Sequence, residues 1–174
     1  SATAGLPYGV VVSPLVTALN THAAVIEPHL ARHAGFEREV FAALNTAHLR
    51  DGAFVWTARN QKCPTPVQLL YLSTQQEAAV YPRCLAIVEA GAELTLIEDY
   101  GSLGESVYFN DAVTEIVAGE GARVRHVRVQ REAGGAFGGD RRTDQTAAMA
   151  DHEIDRFRRY RGGRHQQIAL VLAV

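Results

Sequence analysis

This chain has few cysteines, nearly balanced positive and negative charge, and no long apolar run. Of its 174 residues only Cys63 and Cys84 are cysteines, and the formal net charge is -2 at pH 7. Two thiols that far apart form no chelating motif such as CxxC. A chain of this length with a real core does not need a disulfide, so we expect both cysteines to be reduced. The balanced charge gives no reason to expect nucleic acid or a membrane surface as a partner.

The apolar runs are too short to form a membrane span. The longest lie near residues 9–12 and 168–174, whereas a bilayer requires about 20 consecutive apolar residues. The N-terminus lacks the charged-then-apolar pattern of a signal peptide. We therefore expect a cytoplasmic protein with no membrane-spanning segment.

A short Gly-Ala phrase followed by a strand-like run occurs three times, beginning at Gly52, Gly91 and Gly121. The second and third copies are 30 positions apart, with Ile87 in register with Val117, Leu94 with Val124, and Ile97 with Val127. A turn-and-strand unit recurring at such a spacing is typical of a solenoid, in which each unit buries its apolar side against the next. The repeat predicts parallel strands with Leu94 beside Val124.

From residue 51 onward the chain contains short runs rich in β-branched and large apolar residues, separated by Gly, Pro, Asn and Asp. The runs are Phe54–Trp56, Val67–Leu72, Leu85–Val88, Leu94–Ile97, Ala112–Val117 and Val124–Val129. Val127 and Val129 alternate with Arg128, which predicts a solvated face there. Burying both Val124 and Val127 would require a bulge near Arg125. We interpret residues 51–137 as a partial parallel β-helix core, making the chain mainly β.

Residues 1–50 show helical spacing instead. Ser13 followed by Pro14 predicts a helix start, with the hydroxyl as cap and the proline in the first turn. Pro28 would open or interrupt the second of three helices. Their apolar faces comprise Leu15, Ala18 and Leu19; Val25, Ile26, Leu30 and Ala34; and Val40, Phe41, Leu44, Ala47 and His48. This pattern predicts an N-terminal helical region.

Residues 138–174 form an atypical tail that is rich in arginine and glycine. Periodic apolar residues are almost absent before Ile168. We expect the tail to add nothing to the solenoid and to be disordered or loosely helical, with residues 143–160 as the best helical window. The glycines between 134 and 139 precede no Lys-Ser/Thr pair, so they do not indicate a phosphate loop.

Cysteine and histidine supply only weak site candidates. Cys84 precedes an apolar run and is expected to be a small buried hydrophobe, whereas Cys63 follows Lys62 in a loop, where it could be exposed as a thiolate. His29 and His33 have the spacing of a zinc helix but lack a third ligand. His126 aligns with Leu96 in the repeat and is expected to replace an apolar residue, and His152-Glu153 lacks the second histidine of a zincin.

Three acidic residues carry the main enzymatic alternative. Glu98, Asp99 and Glu115 lie in strand-like runs and could form the carboxylate pair of a carbohydrate-active β-helix enzyme. Such enzymes are normally secreted and have a long groove lined by acids, bases and aromatics. This chain shows no signal-peptide pattern, and its acids lie among apolar strands, so we expect these residues to be solvated strand ends. No nucleophile, base and orienting group can be assembled, and we predict no enzyme activity and assign no catalytic, cofactor-binding or metal-binding residues.

Four stretches in order resemble the SufB/SufD family of iron-sulfur cluster assembly proteins, and the D-type subunit is the more similar. The resemblance covers about residues 6–137. The stretches are residues 45–47 with 50–55 (NTA, RDGAFV), 66–74 (PVQLLYLST), 94–100 (LTLIEDY), and 108–110 with 113–117 (YFN, VTEIV).

The resemblance implies a right-handed parallel β-helix behind an N-terminal helical region, and a non-enzymatic scaffold. It also implies two partners, a SufB-like subunit and the ABC-type ATPase SufC, in an assembly that builds iron-sulfur clusters from iron and desulfurase-derived sulfur. The family continues beyond residue 137 with further β-helix and a helical region. Its proposed cluster-related Cys and His positions lie there, so none is assigned here and no cluster is assigned to this chain. An inert truncated fragment is the remaining alternative.

Overall fold

The computed structural model describes residues 5–35, 37, 39–50, 52–75, 77–103 and 107–131, and the backbone of residues 146–149 and 168–173. Strands predominate in this part of the chain. The helices are α1 (Leu15–Thr21), α2 (Ala23–Ile26) and α3 (Val40–Ala47). The strands are β1 (Val10–Pro14), β2 (Gly52–Thr57), β3 (Val67–Ser73), β4 (Ala78–Val80), β5 (Arg83–Val88), β6 (Glu93–Ser102), β7 (Tyr108–Asn110), β8 (Val113–Ala118), β9 (Arg123–Arg131), β10 (Thr146–Met149) and β11 (Ile168–Ala173).

Between β2 and β9 the chain visits three sheets repeatedly in the same order. The first sheet runs β1-β2-β5-β8-β10, the second β11-β3-β6-β9, and the third β4-β7. All neighbouring strands pair in parallel except β1 and β2, which are antiparallel. Each round therefore places its strands beside those of the previous round, and all six predicted strand runs are confirmed.

The 30-residue register predicted from the repeat is also confirmed. Leu94 lies beside Val124, Ile97 beside Val127, and Ile87 beside Val117. The first Gly-Ala phrase is an exception, because Gly52 lies within β2 and pairs with Arg83 in the first sheet. It is therefore not equivalent to Gly91 and Gly121, which precede strands of the second sheet.

The first-round equivalent of those two glycines is Asn60. Asn60, Gly91 and Gly121 have positive φ angles of 60°, 70° and 67°. They stack, because the N–H of Asn60 donates to the carbonyl of Ala90 and that of Gly91 to the carbonyl of Glu120, each at 2.9 Å. Each is the third residue of a four-residue turn, where a positive φ defines a type II turn. Asparagine tolerates this conformation better than most non-glycine residues, so the repeat continues there without glycine.

We predict that Gly91→Ala and Gly121→Ala each lower the free energy of unfolding by about 1–2 kcal/mol, because both force alanine into a left-handed conformation. The loss should be larger at position 91, where a new Cβ would lie 2.3 Å from Oδ1 of Asn60, whereas nothing lies within 4 Å at position 121. Urea denaturation of the two variants measures the difference. Wild-type midpoints for both variants would contradict the shared corner conformation.

The N-terminal region is less helical than expected. Helices α1 and α3 match their predictions, but α2 ends at Ile26, before Pro28, and the preceding Val10–Pro14 segment is a strand. The predicted cap at Ser13 is wrong: Pro14 occupies the N-cap position, and the Ser13 hydroxyl donates to the Pro14 carbonyl at 3.1 Å. Strand pairing with β2 explains this, since it holds residues 10–14 extended up to the first helical residue.

The expectation that the tail adds nothing to the sheets is wrong for ten of its residues. β10 pairs with β8, and β11 pairs with β3. Residues 146–149 are thus extended inside the window for which a helix was predicted. The apolar runs that pair here, TAAM and IALVLA, are too short to be distinguished from helix by periodicity. The other tail residues lie outside the described part of the chain.

The main core contains the buried side chains of the first two sheets, including Val55, Leu69, Ala86, Leu96 and Ile116. A second apolar cluster joins α1 and α2 to the first sheet through Leu15, Ile26, Phe54 and Leu85, among others. No helix among the described residues is long and apolar enough to cross a membrane.

The bulge predicted in β9 is wrong, and the solvated face lies on the other side of the strand: Arg123 and Arg125, which share the parity of Val127, are exposed, whereas Arg128 is only partly exposed. The β6–β9 register is continuous from Glu93 and Arg123 to Gly101 and Arg131. Val124 and Val127 are both buried without a bulge because they lie on opposite faces of the strand. Arg128 shares the parity of Val124, and its guanidinium lies 4.4 Å from the ring centroid of Tyr100, a core residue.

Candidate functional site

Two groups of buried polar side chains are the strongest candidates for a site. The first, the inner network, comprises Glu98, Tyr100, Thr114 and His126. Glu98 is fully buried on the core-facing side of β6. Its carboxylate lies 2.7 Å from Nε2 of His126 and 2.9 Å from the Thr114 hydroxyl, and it accepts a hydrogen bond of 3.2 Å from the Tyr100 hydroxyl. The network therefore joins β6 of one round to β8 and β9 of the next round.

The charge of Glu98 is stabilised despite its burial. Burial opposes ionisation, but the hydrogen bond and charge of His126, with help from Arg128 and Thr114, hold the pKa of Glu98 below its ordinary value. Burial and the Glu98 charge raise the pKa of the nearby Tyr100 hydroxyl well above its ordinary value. A carboxylate whose charge is stabilised by neighbouring polar groups is a weak proton acceptor.

The second group, the outer latch, comprises Arg83, Glu115 and three backbone N–H groups. Both side chains are fully buried. Nε and Nη2 of Arg83 donate to Oε2 of Glu115 at 3.1 and 2.7 Å. The N–H groups of Ala31, His33 and Ala34 also donate to this carboxylate, at 2.9 to 3.0 Å. The latch therefore fastens the segment after α2 to the first sheet.

Burial opposes ionisation of Glu115 as well, yet the Arg83 charge and the backbone hydrogen bonds hold its pKa below its ordinary value. Arg83 was not among the predicted site residues. A usable signal exists in the repeat: Arg83 lies opposite Val113 in the register, and Glu115 is two residues further along the same face. A diagonal pair of opposite charges in neighbouring apolar runs indicates a buried ion pair.

Asn45 and Asp111 extend the latch region toward α3. The side-chain amide of Asn45 donates to the carbonyls of Pro82 and Asp111, at 3.1 and 2.7 Å, and its oxygen accepts from Nη1 of Arg83 at 3.1 Å. Both carboxylate oxygens of Asp111 are buried without a hydrogen-bond partner among the described residues. Burial raises the pKa of Asp111 to about 6, and the charge of Arg83 partly offsets this.

The three acidic residues of the enzymatic alternative are buried, not solvated as expected. Their relative exposures are 0% for Glu98, 3% for Asp99 and 0% for Glu115. They also have separate partners: Glu98 belongs to the inner network and Glu115 to the outer latch. Asp99 accepts hydrogen bonds of 3.0 Å from Gln68 and from Nε of Arg131. The structure does not bring them together as a pair of carboxylates facing a shared groove.

Both cysteines are free, as expected, and both are buried. The expectation of an exposed Cys63 thiolate is wrong: the side chain is buried, its Sγ donates a hydrogen bond of 3.2 Å to the Thr65 carbonyl, and burial raises the pKa of the thiol. Cys84 is buried as predicted. Its burial and the nearby Glu98 charge raise the pKa of its thiol well above the ordinary value.

We predict that both thiols of the folded chain react with Ellman's reagent on the order of a hundredfold more slowly than those of the urea-unfolded chain, because reaction requires local opening and a thiolate. Absorbance at the thionitrobenzoate band follows the reaction. Rapid labelling of one thiol per folded chain would show that Cys63 is accessible, contrary to the structure.

The positions and contacts of the histidines do not match those of the zinc helix considered above. His29 and His33 are not on a helix; their rings stack, and Nδ1 of His29 lies 3.1 Å from Nε2 of His33. Burial and the neighbouring His33 lower the pKa of His29. His126 does lie beside Leu96 as predicted, but it binds Glu98 and is not simply an apolar substitute.

Within the part of the chain that the structure describes, no three His, Cys, Asp or Glu residues are placed to hold a metal ion. The His152-Glu153 pair and the glycines between 134 and 139 lie outside the described residues. The inner network and the outer latch join strands to one another and to the segment after α2.

Comparison with known proteins finds two family models that match most of the chain. A family model described as "SufBD protein N-terminal region" matches residues 1–69, and one described as "SUF system FeS cluster assembly, SufBD core domain" matches residues 71–155. The two matches follow one another along the chain. The boundary between them falls within β3, inside the strands that share the main core.

Individual relatives agree with these matches. An iron-sulfur cluster assembly SufBD family protein of Synechocystis sp. is 37% identical over 130 residues, covering 69% of this chain and 28% of the relative. A chloroplastic SufBD family protein of Arabidopsis thaliana is 28% identical, covering 70% of this chain and 22% of the relative. SufD of Bacillus subtilis is 25% identical, covering 73% and 30%. The aligned part of the chain thus spans less than a third of each of these proteins.

Proposed function

Because this chain belongs to the SufB/SufD family of iron-sulfur cluster assembly proteins, we propose that it is a SufD-like, non-catalytic scaffold subunit. The observation that carries the proposal is the consecutive match of both SufBD regions to residues 1–69 and 71–155. The similarity to a relative named SufD supports the D-type assignment.

We further propose that β2 to β9 form a right-handed parallel β-helix. Support comes from the repeated order of the three sheets and from equivalent pairs about 30 residues apart, such as Ala78 with Tyr108. The stacked type II corners at Asn60, Gly91 and Gly121 also support it, since each round turns at the same place. Such a rod has a firm surface on which other subunits can assemble.

The non-catalytic role is supported by how the ionisable groups are used. Glu98, Glu115 and Asp99 each accept hydrogen bonds from protein donors, and both thiols are buried with raised pKa values. A general base or nucleophile must instead reach a substrate. The partners in this proposal are a SufB-like subunit and a SufC-like ATPase, with iron and sulfur as the substrates of the assembly. The cytoplasm remains our predicted location.

The proposal is tested by coexpressing the 174-residue chain with SufB-like and SufC-like proteins from the same genome. We expect the chain to elute with the SufB-like subunit in size-exclusion chromatography. Arg83→Met serves as a folding-sensitive control that should lose the interaction, and Lys62→Met, on an exposed ion pair, should keep it. Separate elution of a folded chain under all conditions would contradict the scaffold role and favour the inert fragment.

The carbohydrate-active alternative is tested separately with the purified chain and a panel of acidic and neutral polysaccharides. We expect no release of reducing ends. Cleavage that is lost in both Glu98→Gln and Glu115→Gln, while both variants remain folded, would overturn the non-catalytic assignment.

A further inference from the structure

A groove of about 400 Å³ runs beside β4, at the edge of the two-stranded third sheet. Its walls come from three places in the chain. They are the segment just after α3, Gln75, and β4 with the corner that follows it. We call it the β4 groove. Its lining residues are His48, Arg50, Gln75, Ala78, Ala79, Val80, Tyr81 and Pro82.

β4 lies along this groove, and only one of its two backbone edges is paired with β7. β4 pairs with β7 on its other side, where the Val80 carbonyl accepts a hydrogen bond of 2.9 Å from the N–H of Asp111. Successive peptide groups of a strand point to opposite sides, so the N–H and carbonyl of Ala79 point away from β7. Ala79 is also exposed. In the described part of the chain β4 is the last strand of its sheet on that side, which makes it a template for strand addition.

The described lining of the groove contains a cationic side chain and no carboxylate. Arg50 and His48 are exposed hydrogen-bond donors, and the described lining includes no aspartate or glutamate. The His48 ring stacks on Tyr81, with ring centroids 4.7 Å apart and an interplanar angle of 16°. Ala78, Val80 and Pro82 contribute apolar surface to the lining. A guanidinium beside an open strand edge provides a charge-assisted partner for a carboxylate on a bound strand.

We propose that the β4 groove binds an extended acidic segment of a partner protein, which adds a strand to β4 and places a carboxylate on Arg50. The backbone of Ala79 provides the strand hydrogen bonds, and the Tyr81–His48 stack contacts an apolar side chain of the segment. This inference is independent of the cluster assembly role, because it rests on the groove alone.

The test uses a fluorescein-labelled heptapeptide, Thr-Glu-Val-Asp-Val-Glu-Thr, titrated with the full 174-residue chain and followed by fluorescence anisotropy. We expect binding that weakens by about tenfold or more in Arg50→Glu, through lost charge-assisted hydrogen bonds. Ala79→Pro should weaken it to a similar extent, because proline removes the edge N–H donor. The matched control Arg59→Glu changes an exposed arginine that does not line the groove and should bind as the wild type does.

A second measurement does not depend on the proline variant folding. In the wild-type chain the peptide should slow amide hydrogen exchange at Ala79, and a lysine-for-acid version of the peptide should not. The proposal is wrong if no binding is detected up to about 1 mM, if Arg59→Glu weakens binding as much as Arg50→Glu, or if exchange at Ala79 is unchanged at saturation. It is also wrong if Ala79→Pro instead abolishes self-association of the chain, which would make a second copy the occupant.

Discussion

Arg83→Met is expected to lower the free energy of unfolding by about 3–5 kcal/mol, because it leaves Glu115 as a buried carboxylate without its cationic partner. Both side chains have 0% exposure, so water cannot replace the guanidinium. The three backbone N–H groups of the outer latch remain as donors but carry no net charge. Urea denaturation at pH 7 measures the loss.

A double-mutant cycle with Glu115→Gln separates the pair from its surroundings. The sum of the two single losses of unfolding free energy should exceed the loss of the double variant, since removing both charges leaves neither one buried alone. Lys62→Met is the matched control: it breaks an ion pair of 2.7 Å whose side chains are 68% and 35% exposed, and should change stability far less than Arg83→Met does. Equal losses for Arg83→Met and Lys62→Met would contradict the buried latch.

Asp111→Asn is expected to stabilise the chain at pH 8 and to leave it nearly unchanged below pH 4. Burial raises the pKa of Asp111 from its ordinary 3.8 to about 6, so the folded chain holds this proton more tightly than the unfolded chain. The resulting stability is complete below the unfolded pKa and is lost as the pH rises through about 6. At 1.36 kcal/mol for each pKa unit, the variant should gain roughly 3 kcal/mol at most.

The same substitution at Asp99 is the control, since that carboxylate accepts hydrogen bonds from Gln68 and Arg131. Asp99→Asn should lower stability at pH 8. Unfolding titrations of both variants between pH 4 and 8 check the contrast. Wild-type unfolding of Asp111→Asn at every pH would contradict a buried, unpaired carboxylate at this position.

Most of the fold between residues 52 and 131 was predictable, because each strand is an apolar run bounded by turn residues and the rounds have a nearly constant length. The constant length of the rounds predicted the pairing of Leu94 with Val124, which the structure confirms. Asn60 was not predicted as a corner because the predicted corners were Gly-Ala phrases, although only a positive φ is needed. Strands β4 and β7, three residues each, are too short to give a periodic signal.

The polar groups were harder to predict, since burial depends on partners that are distant in sequence. Glu98 and Glu115 were expected to be solvated because charge normally avoids the interior. Their burial is made possible by His126, 28 positions from Glu98, and by Arg83, 32 positions from Glu115. Arg128 was assigned to a solvated face by alternation alone, whereas the ring of Tyr100 draws its guanidinium toward the core.

The scaffold role is tested most directly by cluster formation in the reconstituted assembly. SufB-like and SufC-like proteins are supplied with ferrous iron, a cysteine desulfurase with cysteine, and ATP, with and without the 174-residue chain, and cluster absorbance is followed anaerobically. We predict faster or greater cluster formation with the chain, a gain kept by Lys62→Met and lost by Arg83→Met. Identical formation with and without a folded chain, and no coelution with the SufB-like subunit, would contradict the account.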